Sequence, residues 1–133
     1  MKGLDTNVLV RYLVKDDKQQ AEKASAYIHE AAASGENCFI GNIVLCELVW
    51  VLESAYDFGK QDISDVLEKI LITKQFEIEQ KDIVRQAIKD YSNGKGDLAD
   101  YLIGRINHGH GCGRTATFDR SLRDMPIFEL LES

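Results

Sequence analysis

Short apolar segments alternate with longer helical segments along the chain, and this alternation constrains the fold more than any other feature of the sequence. The strand candidates are Lys2–Leu4, Cys38–Ile40, Phe76–Ile78, Thr115–Phe118 and Ile127–Phe128. The helices predicted between them are Asn7–Val14, Gln19–Ala33, Ile43–Tyr56, Asp62–Thr73, Lys81–Tyr91 and Asp97–Asn107. Asp16 and Asp17 predict a cap before the second of these helices, and Asp62 predicts the cap of the fourth. Strands that alternate with helices favour an α/β fold in which a short-stranded parallel sheet is covered by helices.

The length of the chain predicts a single domain over residues 1–133, because domains most often contain roughly 100–150 residues. The first residues lack the apolar segment of a signal peptide. The longest apolar run, Ile43–Leu52, is interrupted by Glu47 and is about half as long as a bilayer requires. Three cysteines at unrelated spacings suit reduced thiols. We therefore expect a cytoplasmic protein with no membrane segment.

The charge balance counts against nucleic-acid binding through bulk charge, since 22 acidic residues outnumber 16 basic residues and the net charge is −6. Residues 104–123 differ, because they carry four arginines against Asp119 alone. The phosphate-contact candidates in this segment are Arg105, Arg114 and Arg120. Acidic residues that hold a divalent metal also reverse their effective sign. Local binding of a phosphate backbone is therefore compatible with an acidic chain.

Glu47 lies in a strongly apolar predicted helix. Its neighbours three and four residues away are all apolar: Ile43, Val44, Trp50 and Val51. An ionised carboxylate in such surroundings is costly unless it meets a cation or hydrogen-bond donors. The alternative is that Glu47 lies on a narrow polar edge of the helix.

Asp5 and Asp119 each stand directly after a predicted strand. In a parallel sheet, functional side chains gather beyond the carboxyl ends of the strands, so both acids should point into that region. The alternative is that each carboxylate caps the turn or helix that follows it.

Asp97 and Asp100 open the last predicted helix. Their spacing fits a capping box, in which the first acid caps the helix and the second reaches back to its amide. Gly104 lies one turn after Asp100 on the same face, where glycine lowers helix stability by up to about 1 kcal/mol. A close approach of another backbone, of a substrate or of a packed side chain would explain this glycine.

Four acids at the edge of one crevice are not predicted by capping alone. Because all four would offer oxygen ligands, the hard cations Mg²⁺ and Mn²⁺ are favoured. Such carboxylate clusters serve phosphodiester hydrolysis, in which one or two metals activate a water molecule. The set is Asp5, Glu47, Asp100 and Asp119.

Two other features have structural interpretations. His108, His110 and Cys112 suggest a zinc loop, but the glycines between them favour a turn and no second ligand pair stands at zinc spacing. Trp50 and Phe118 are expected to lie in the core rather than to stack on bases.

Four motifs occur in order along the chain: Leu-Asp-Thr-Asn-Val-Leu-Val-Arg-Tyr-Leu from Leu4, Val-Leu-Cys-Glu-Leu-Val-Trp-Val-Leu around Glu47, Asp-Leu-Ala-Asp-Tyr-Leu-Ile-Gly from Asp97, and Thr-Phe-Asp-Arg around Asp119. Together they resemble PIN-domain nucleases and, within these, the VapC toxins of bacterial type II toxin–antitoxin systems. The resemblance extends over nearly the whole chain. Each motif is weak alone, whereas the ordered set is specific.

The resemblance implies a Rossmann-like α/β/α sandwich that holds Mg²⁺ in the acidic cluster. Asp5 and Asp100 match the principal metal ligands, Glu47 matches the helix acid, and Asp119 matches a fourth acid that acts through water or a second metal. Asp97 is an accessory candidate. Gly3 departs from the apolar residue expected in the first strand, which weakens that strand and leaves the site intact.

Around these ligands, the resemblance implies that Thr6 or Thr117 donates a hydrogen bond to Asp5. It also implies an endoribonuclease in which water attacks phosphorus and leaves 5′-phosphate and 3′-hydroxyl ends. Arg105, Arg114 and Arg120 become candidates for contact with the RNA. The expected partners are an antitoxin protein, since no inhibitory segment is recognisable in the sequence, and a second copy of the chain. Two long apolar helices support the homodimer, because they offer more apolar surface than one short-stranded sheet covers.

Two alternatives belong to other classes. A non-catalytic PIN-like binding module would retain the fold and hold a partner without cutting. A phosphotransferase of the haloacid-dehalogenase kind would use Asp5 as its nucleophile, but it requires a second aspartate where this chain has Asn7.

Overall fold

Five short strands and six α-helices alternate along residues 1–132, the part of the chain that this computed structural model describes. The strands are β1 (Lys2–Gly3), β2 (Cys38–Ile40), β3 (Phe76–Ile78), β4 (Thr115–Thr117) and β5 (Phe128–Leu130). The helices are α1 (Thr6–Val14), α2 (Lys18–Ala33), α3 (Asn42–Ser54), α4 (Lys60–Ile72), α5 (Lys81–Asn93) and α6 (Leu98–Gly109). A short 3₁₀ turn covers Arg120–Leu122. Ser133, the last residue of the predicted domain, lies outside the described residues.

Each predicted strand and helix is present, with its ends within two residues of the prediction. The Asp17 cap of α2 is confirmed, because its carboxylate accepts a hydrogen bond of 3.0 Å from the amide of Gln20. The Asp62 cap of α4 was wrong. Gly59 precedes this helix, and Asp62 lies in its first turn, where a negative charge favours the helix dipole.

The strands are parallel, as predicted, but they form two sheets instead of one. β1, β2 and β3 pair in that order, with Lys2 opposite Cys38 and Cys38 opposite Phe76. β4 and β5 form a separate pair, with Thr115 opposite Phe128. The first strand is very short, and the amides of Lys2 and Leu4 both donate towards β2, to the carbonyls of Asn37 and Phe39. β1 therefore has little backbone with which to join β4.

The core lies between the three-stranded sheet and the helices. Ile40 of β2, Leu48 and Leu52 of α3, and Ile63 and Leu67 of α4 are all fully buried. Each such side chain contributes about 1.5–3 kcal/mol when it leaves water. This core fixes α3 against the sheet and so sets the position of Glu47. Within residues 1–132, no helix is both long and apolar enough to cross a lipid bilayer.

Candidate active site

The chain turns at Asp5, directly after β1, and enters α1. The Asp5 side chain is exposed. Its Oδ1 atom accepts a hydrogen bond of 2.8 Å from the amide of Thr6, and the residue is the N-cap of α1. Helices leave their first amides unpaired, so a carboxylate at this position stabilises the helix start. The two interpretations of Asp5 are therefore compatible, because this residue caps α1 and also lies beyond the carboxyl end of β1.

Thr6 joins the first helix to the acid on α3. Its side chain is buried, and its hydroxyl donates a hydrogen bond of 2.7 Å to Oε1 of Glu47. The expected hydrogen bond from Thr6 to Asp5 is present, and its donor is the backbone amide rather than the hydroxyl. Thr6 is the first residue of α1, and its side chain faces α3, so only its backbone amide reaches Asp5. Asp5 and Glu47 are consequently linked through one intervening residue.

Glu47 is itself exposed, which corrects the expectation of an apolar environment. The buried face of α3 consists of Leu45, Leu48, Val49 and Leu52. Two of the apolar neighbours of Glu47 are exposed with it, Ile43 by 77% and Trp50 by 66%. Glu47 lies on an outward face of α3, so burial does not penalise its charge.

Asp97 and Asp100 form the capping box that their spacing predicts. Oδ2 of Asp100 accepts a hydrogen bond of 3.1 Å from the amide of Asp97. Burial raises the pKa of the Asp100 carboxyl, and the negative charges of Asp97 and Asp119 raise it further. Asp97 and Asp119 therefore lie close enough to repel the charge of Asp100, from the start of α6 and from beyond the end of β4.

Asp119 follows β4 and is the N-cap of the 3₁₀ turn. Its Oδ1 atom accepts hydrogen bonds from Ser121, 2.9 Å from the amide and 2.7 Å from the hydroxyl. These donors, the Ser121 hydroxyl first, lower the pKa of Asp119. The hydroxyl of Thr117 accepts from the Asp119 amide at 3.0 Å, and within residues 1–132 it is Thr6 rather than Thr117 that donates to Asp5. Thr117 supports the turn that carries Asp119.

The four principal acids share one pattern of hydrogen bonding. Each uses one oxygen for a protein donor, and within residues 1–132 the other oxygen has no protein donor. Carboxylate oxygens are the ligands that Mg²⁺ and Mn²⁺ prefer, so the chemistry of these four acids fits a hard cation. Among the described residues, however, no three acidic, histidine or cysteine side chains converge closely enough to hold a metal ion as they stand.

Lys60 is a residue of this region that sequence reasoning missed. It begins α4, and its Nζ atom donates to three carbonyls of the α5–α6 connection: Tyr91 at 2.9 Å, Gly94 at 2.7 Å and Gly96 at 3.3 Å. The ammonium group also lies 4.2 Å from the centre of the Tyr91 ring. Burial lowers the pKa of Lys60, while the charges of Asp97 and Glu53 oppose this shift. Lys60 therefore fixes the loop that leads into Asp97 and Asp100.

The three candidate arginines have different environments. Arg105 is half-buried and makes a paired contact with Asp90 of α5, from Nε at 2.7 Å and from an Nη atom at 2.9 Å. This two-point ion pair engages part of the guanidinium, so RNA contact by Arg105 stays a prediction and has less support than for the exposed arginines. Arg114 and Arg120 are exposed on either side of β4, and Arg120 directly follows Asp119. These two remain candidates for phosphate contact.

Trp50 and Phe118 are not core residues, contrary to expectation. Their side chains are 66% and 67% exposed. The helical pattern of α3 places Leu48, Val49 and Leu52 inside and turns Trp50 outward. Phe118 follows the end of β4, beyond the residues that the β4–β5 ladder pairs.

The glycine-rich segment after α6 is not a zinc site in this structure. His108, His110 and Cys112 are exposed, and they do not form a metal-binding group among the described residues. The amides of His110, Gly111 and Cys112 instead close the end of the helix by donating to carbonyls of its last turn.

Comparison with protein families gives one match of nearly full length. The family model described as PIN domain matches residues 3–127. The chain belongs to the PIN-domain family. This assignment confirms the resemblance and the Rossmann-like α/β class. The matched segment of the PIN domain contains all four principal acids, Asp5, Glu47, Asp100 and Asp119.

Comparison with curated proteins indicates which PIN-domain proteins this chain resembles. It is the VapC ribonuclease of Aquifex aeolicus (strain VF5), which is 37% identical over 102 residues, covering 77% of this chain and 75% of the relative. Similarity of this extent supports a VapC-type member of the family. No solved structure gives a significant match to this chain.

Proposed function

We propose that this PIN domain is a divalent-metal-dependent endoribonuclease that acts as the toxin of a type II toxin–antitoxin system. The observation that carries the proposal is the set of four acids that each retain one carboxylate oxygen without a protein donor among residues 1–132. The similarity to a VapC ribonuclease supports RNA as the substrate. Mg²⁺ is the expected ion, with Mn²⁺ as a substitute, because all the candidate ligands are oxygens.

The acids of the chain would hold the ion through their free oxygens: Asp5 and Asp100 as principal ligands, Glu47 beside them, and Asp119 and Asp97 further out. When bound, such a cation supplies Lewis-acid activation of water and neutralises charge on the phosphate. The protein donors keep the carboxylates oriented, the Thr6 amide for Asp5 and the Thr6 hydroxyl for Glu47. No side chain becomes covalently attached to the RNA in this mechanism.

The remaining residues act on the phosphate backbone of the substrate. Arg114 and Arg120 are exposed near the end of β4, where their guanidinium groups are available for two-point contacts with phosphate. Local arginines are needed here, because the net charge of the chain is −6 and gives no long-range attraction to RNA.

The direct test is metal-dependent cleavage. Purified protein is stripped with a chelator and incubated with single-stranded RNA in increasing Mg²⁺, Mn²⁺ or Ca²⁺. We expect cleavage that requires Mg²⁺ or Mn²⁺ and leaves 5′-phosphate ends. Cleavage that persists in excess chelator would contradict the proposal.

The second candidate is a non-catalytic PIN-like binding module. It is favoured by one observation, namely that no three potential metal-binding side chains converge within residues 1–132. In that case RNA would stay intact at every concentration of Mg²⁺ or Mn²⁺, whether or not the metal changes the melting temperature. Cleavage with metal stabilisation excludes the module.

The toxin role implies a protein partner. A cluster of carboxylates is a suitable receptor for an arginine, whose planar fork pairs with a carboxylate at two points. The partner would be an antitoxin that inserts such an arginine beside Asp5 and Asp100. Expression of the chain alone should arrest growth of a bacterial host, and co-expression of the neighbouring gene should restore it. Normal growth with abundant active protein would contradict the toxin role.

A homodimer in the cytoplasm completes the proposal. The support for a dimer is the apolar character of α3 and α4, and on α4 the side chain of Ile72 is 79% exposed. Sedimentation at micromolar concentration should give twice the chain mass of 15.0 kDa. A mass of one chain would contradict the dimer and leave the nuclease proposal untouched.

A further inference from the structure

A groove between α3 and α6 has no role in the reaction described so far. Its volume is about 170 Å³. Pockets for drug-sized ligands measure roughly 300–1,000 Å³, so this groove fits only a small group. Its lining combines one aromatic ring, aliphatic side chains and two carboxylates: Cys46, Val49, Trp50, Glu53, Asp97, Leu98 and Ala99.

The groove adjoins the candidate active site through the two helices that line it. Trp50 follows Glu47 by three residues on the same exposed face of α3, and Asp97 precedes Asp100 by three residues at the start of α6. The two helices that carry site acids are therefore also the two walls of the groove. A chain whose phosphate lies at Glu47 and Asp100 would extend a neighbouring group towards Trp50.

The chemistry of the lining selects which part of a nucleotide enters. Glu53 and Asp97 repel a phosphate, so the backbone is excluded, whereas carboxylates accept hydrogen bonds from the amino groups of bases. One oxygen of Glu53 lies 3.4 Å from the hydroxyl of Tyr91, which orients the carboxylate. Burial raises the pKa of Tyr91 to about 12, so its hydroxyl stays protonated and donates. The indole of Trp50 offers a flat apolar surface that is 66% exposed.

We propose that this groove receives one unpaired base of the RNA, stacked on Trp50, with an amino group of the base directed to Glu53. Proteins recognise single-stranded and looped RNA in this way, by stacking bases on aromatic rings and hydrogen-bonding their edges. The inference rests on the proposed ribonuclease function and adds two properties to it. The substrate must be unpaired near the cleaved bond, and uracil, which lacks an amino group, is disfavoured in the groove.

Tryptophan fluorescence tests the stacking directly, because Trp50 is the only tryptophan of the chain. The inactive variant Asp5→Asn is mixed with Mg²⁺ and a short fluorescently labelled single-stranded RNA, or with the same RNA annealed to its complement. We expect the single strand to bind, as measured by anisotropy of its label, and to quench Trp50, and we expect the duplex to do neither. Binding of the single strand without a change in Trp50 fluorescence overturns the inference, and so does the absence of binding.

Kinetics of the otherwise unaltered protein separate stacking from a structural role. Trp50→Leu should raise KM for single-stranded RNA by roughly 5- to 150-fold with a smaller change in kcat, and Trp50→Tyr should restore most of the loss. Ile43→Ala is the matched control, because Ile43 is exposed on the same helix on the other side of Glu47. An unchanged KM in Trp50→Leu, or an equal loss in Ile43→Ala, overturns the inference.

Two further measurements distinguish the remaining outcomes. Glu53→Gln should reduce the preference for amino-bearing bases over uracil, measured with RNAs that differ at a single position. If Trp50→Leu instead changes the sedimentation mass, the α3 face is an interface between copies of the chain and the inference is wrong. Cleavage by the wild-type protein decides the ribonuclease proposal separately, since it does not depend on either substitution.

Discussion

The Thr6 hydroxyl donates a hydrogen bond of 2.7 Å to the carboxylate of Glu47, and this bond joins the start of α1 to the outward face of α3. Both acids of this part of the site depend on the same residue, because the Thr6 amide also donates to Asp5. Thr6 is buried, so water does not replace the hydroxyl when it is removed.

Substitution of Thr6 tests this link. Thr6→Val should lower the free energy of unfolding by about 1 kcal/mol, the contribution of one partly buried hydrogen bond, and should reduce cleavage because Glu47 loses its fixed orientation. Thr6→Ser retains the hydroxyl and should retain cleavage. Urea denaturation and an RNA cleavage assay measure the two effects. Equal cleavage by the wild type and Thr6→Val would contradict a positioning role.

Because Asp5 caps α1, a substitution that keeps the cap can test whether cleavage requires the negative charge of Asp5. Asn caps helices as well as Asp does, so Asp5→Asn should keep the melting temperature within a few degrees and abolish cleavage. Asp100→Asn should behave in the same way. Asp17→Asn is the matched control, because Asp17 also accepts a hydrogen bond from a backbone amide in the first turn of its helix but is not one of the candidate site acids. Cleavage at the wild-type rate by Asp5→Asn or Asp100→Asn would show that the site is assigned incorrectly.

Lys60 provides a prediction about the loop that carries the acids of α6. Lys60→Met leaves three carbonyls without their donor, so we expect a loss of about 1–3 kcal/mol in the free energy of unfolding. The loop then no longer fixes Asp97 and Asp100, and half-maximal cleavage should require more Mg²⁺. Lys69→Met removes an exposed lysine of the same helix and should change neither quantity. Loss of stability with an unchanged metal requirement would limit Lys60 to a structural role.

We expect substitution of Arg105 to affect the stability of the fold, and substitution of Arg114 or Arg120 to affect RNA binding. Arg105→Ala breaks the two-point pair with Asp90 and should lower the free energy of unfolding by about 1–3 kcal/mol. Arg114→Ala and Arg120→Ala remove exposed groups, so they should leave stability unchanged and weaken RNA binding. Chemical denaturation and RNA anisotropy at two salt concentrations separate the effects. RNA binding that falls in Arg105→Ala and not in the exposed variants would reverse the assignment.

Local signals were sufficient to predict the elements of the fold. Hydrophobic periodicity and capping residues are properties of neighbouring positions, so the helices and the cap at Asp17 follow from the sequence. The division of the strands into two sheets does not, because it depends on how few backbone groups β1 presents to β4. Strand pairing depends on two segments that are far apart in the sequence, so the pattern of either strand alone does not predict it.

The candidate site was predicted at the level of residue types and missed at the level of contacts. Asp5 and Asp119 stand after strands, which the sequence shows directly. The partner of Thr6 lies 41 residues away on α3, and the carbonyls bound by Lys60 lie 31 to 36 residues away. Such contacts require the packing of helices that periodicity does not specify. Trp50 was predicted to lie in the core because tryptophan is a large apolar residue, although the helical pattern around Leu48 and Leu52 turns it outward.

Gly104 gives the last prediction, since the structure selects one of three explanations for it. A Cβ atom at this position would lie 2.5 Å from Cζ of Phe128 and 3.0 Å from Cδ1 of Ile127, so the glycine permits α6 to pack against β5. Alanine favours a helix by up to about 1 kcal/mol, but overpacking of this kind costs about 1–3 kcal/mol. Gly104→Ala should therefore lower the free energy of unfolding. Gly109→Ala is the matched control in the same helix, because its new Cβ would meet nothing closer than 3.5 Å, at Ile83. We expect that control to be neutral or slightly stabilising in urea denaturation, and a stable Gly104→Ala variant would show that the close packing of α6 against β5 is not required.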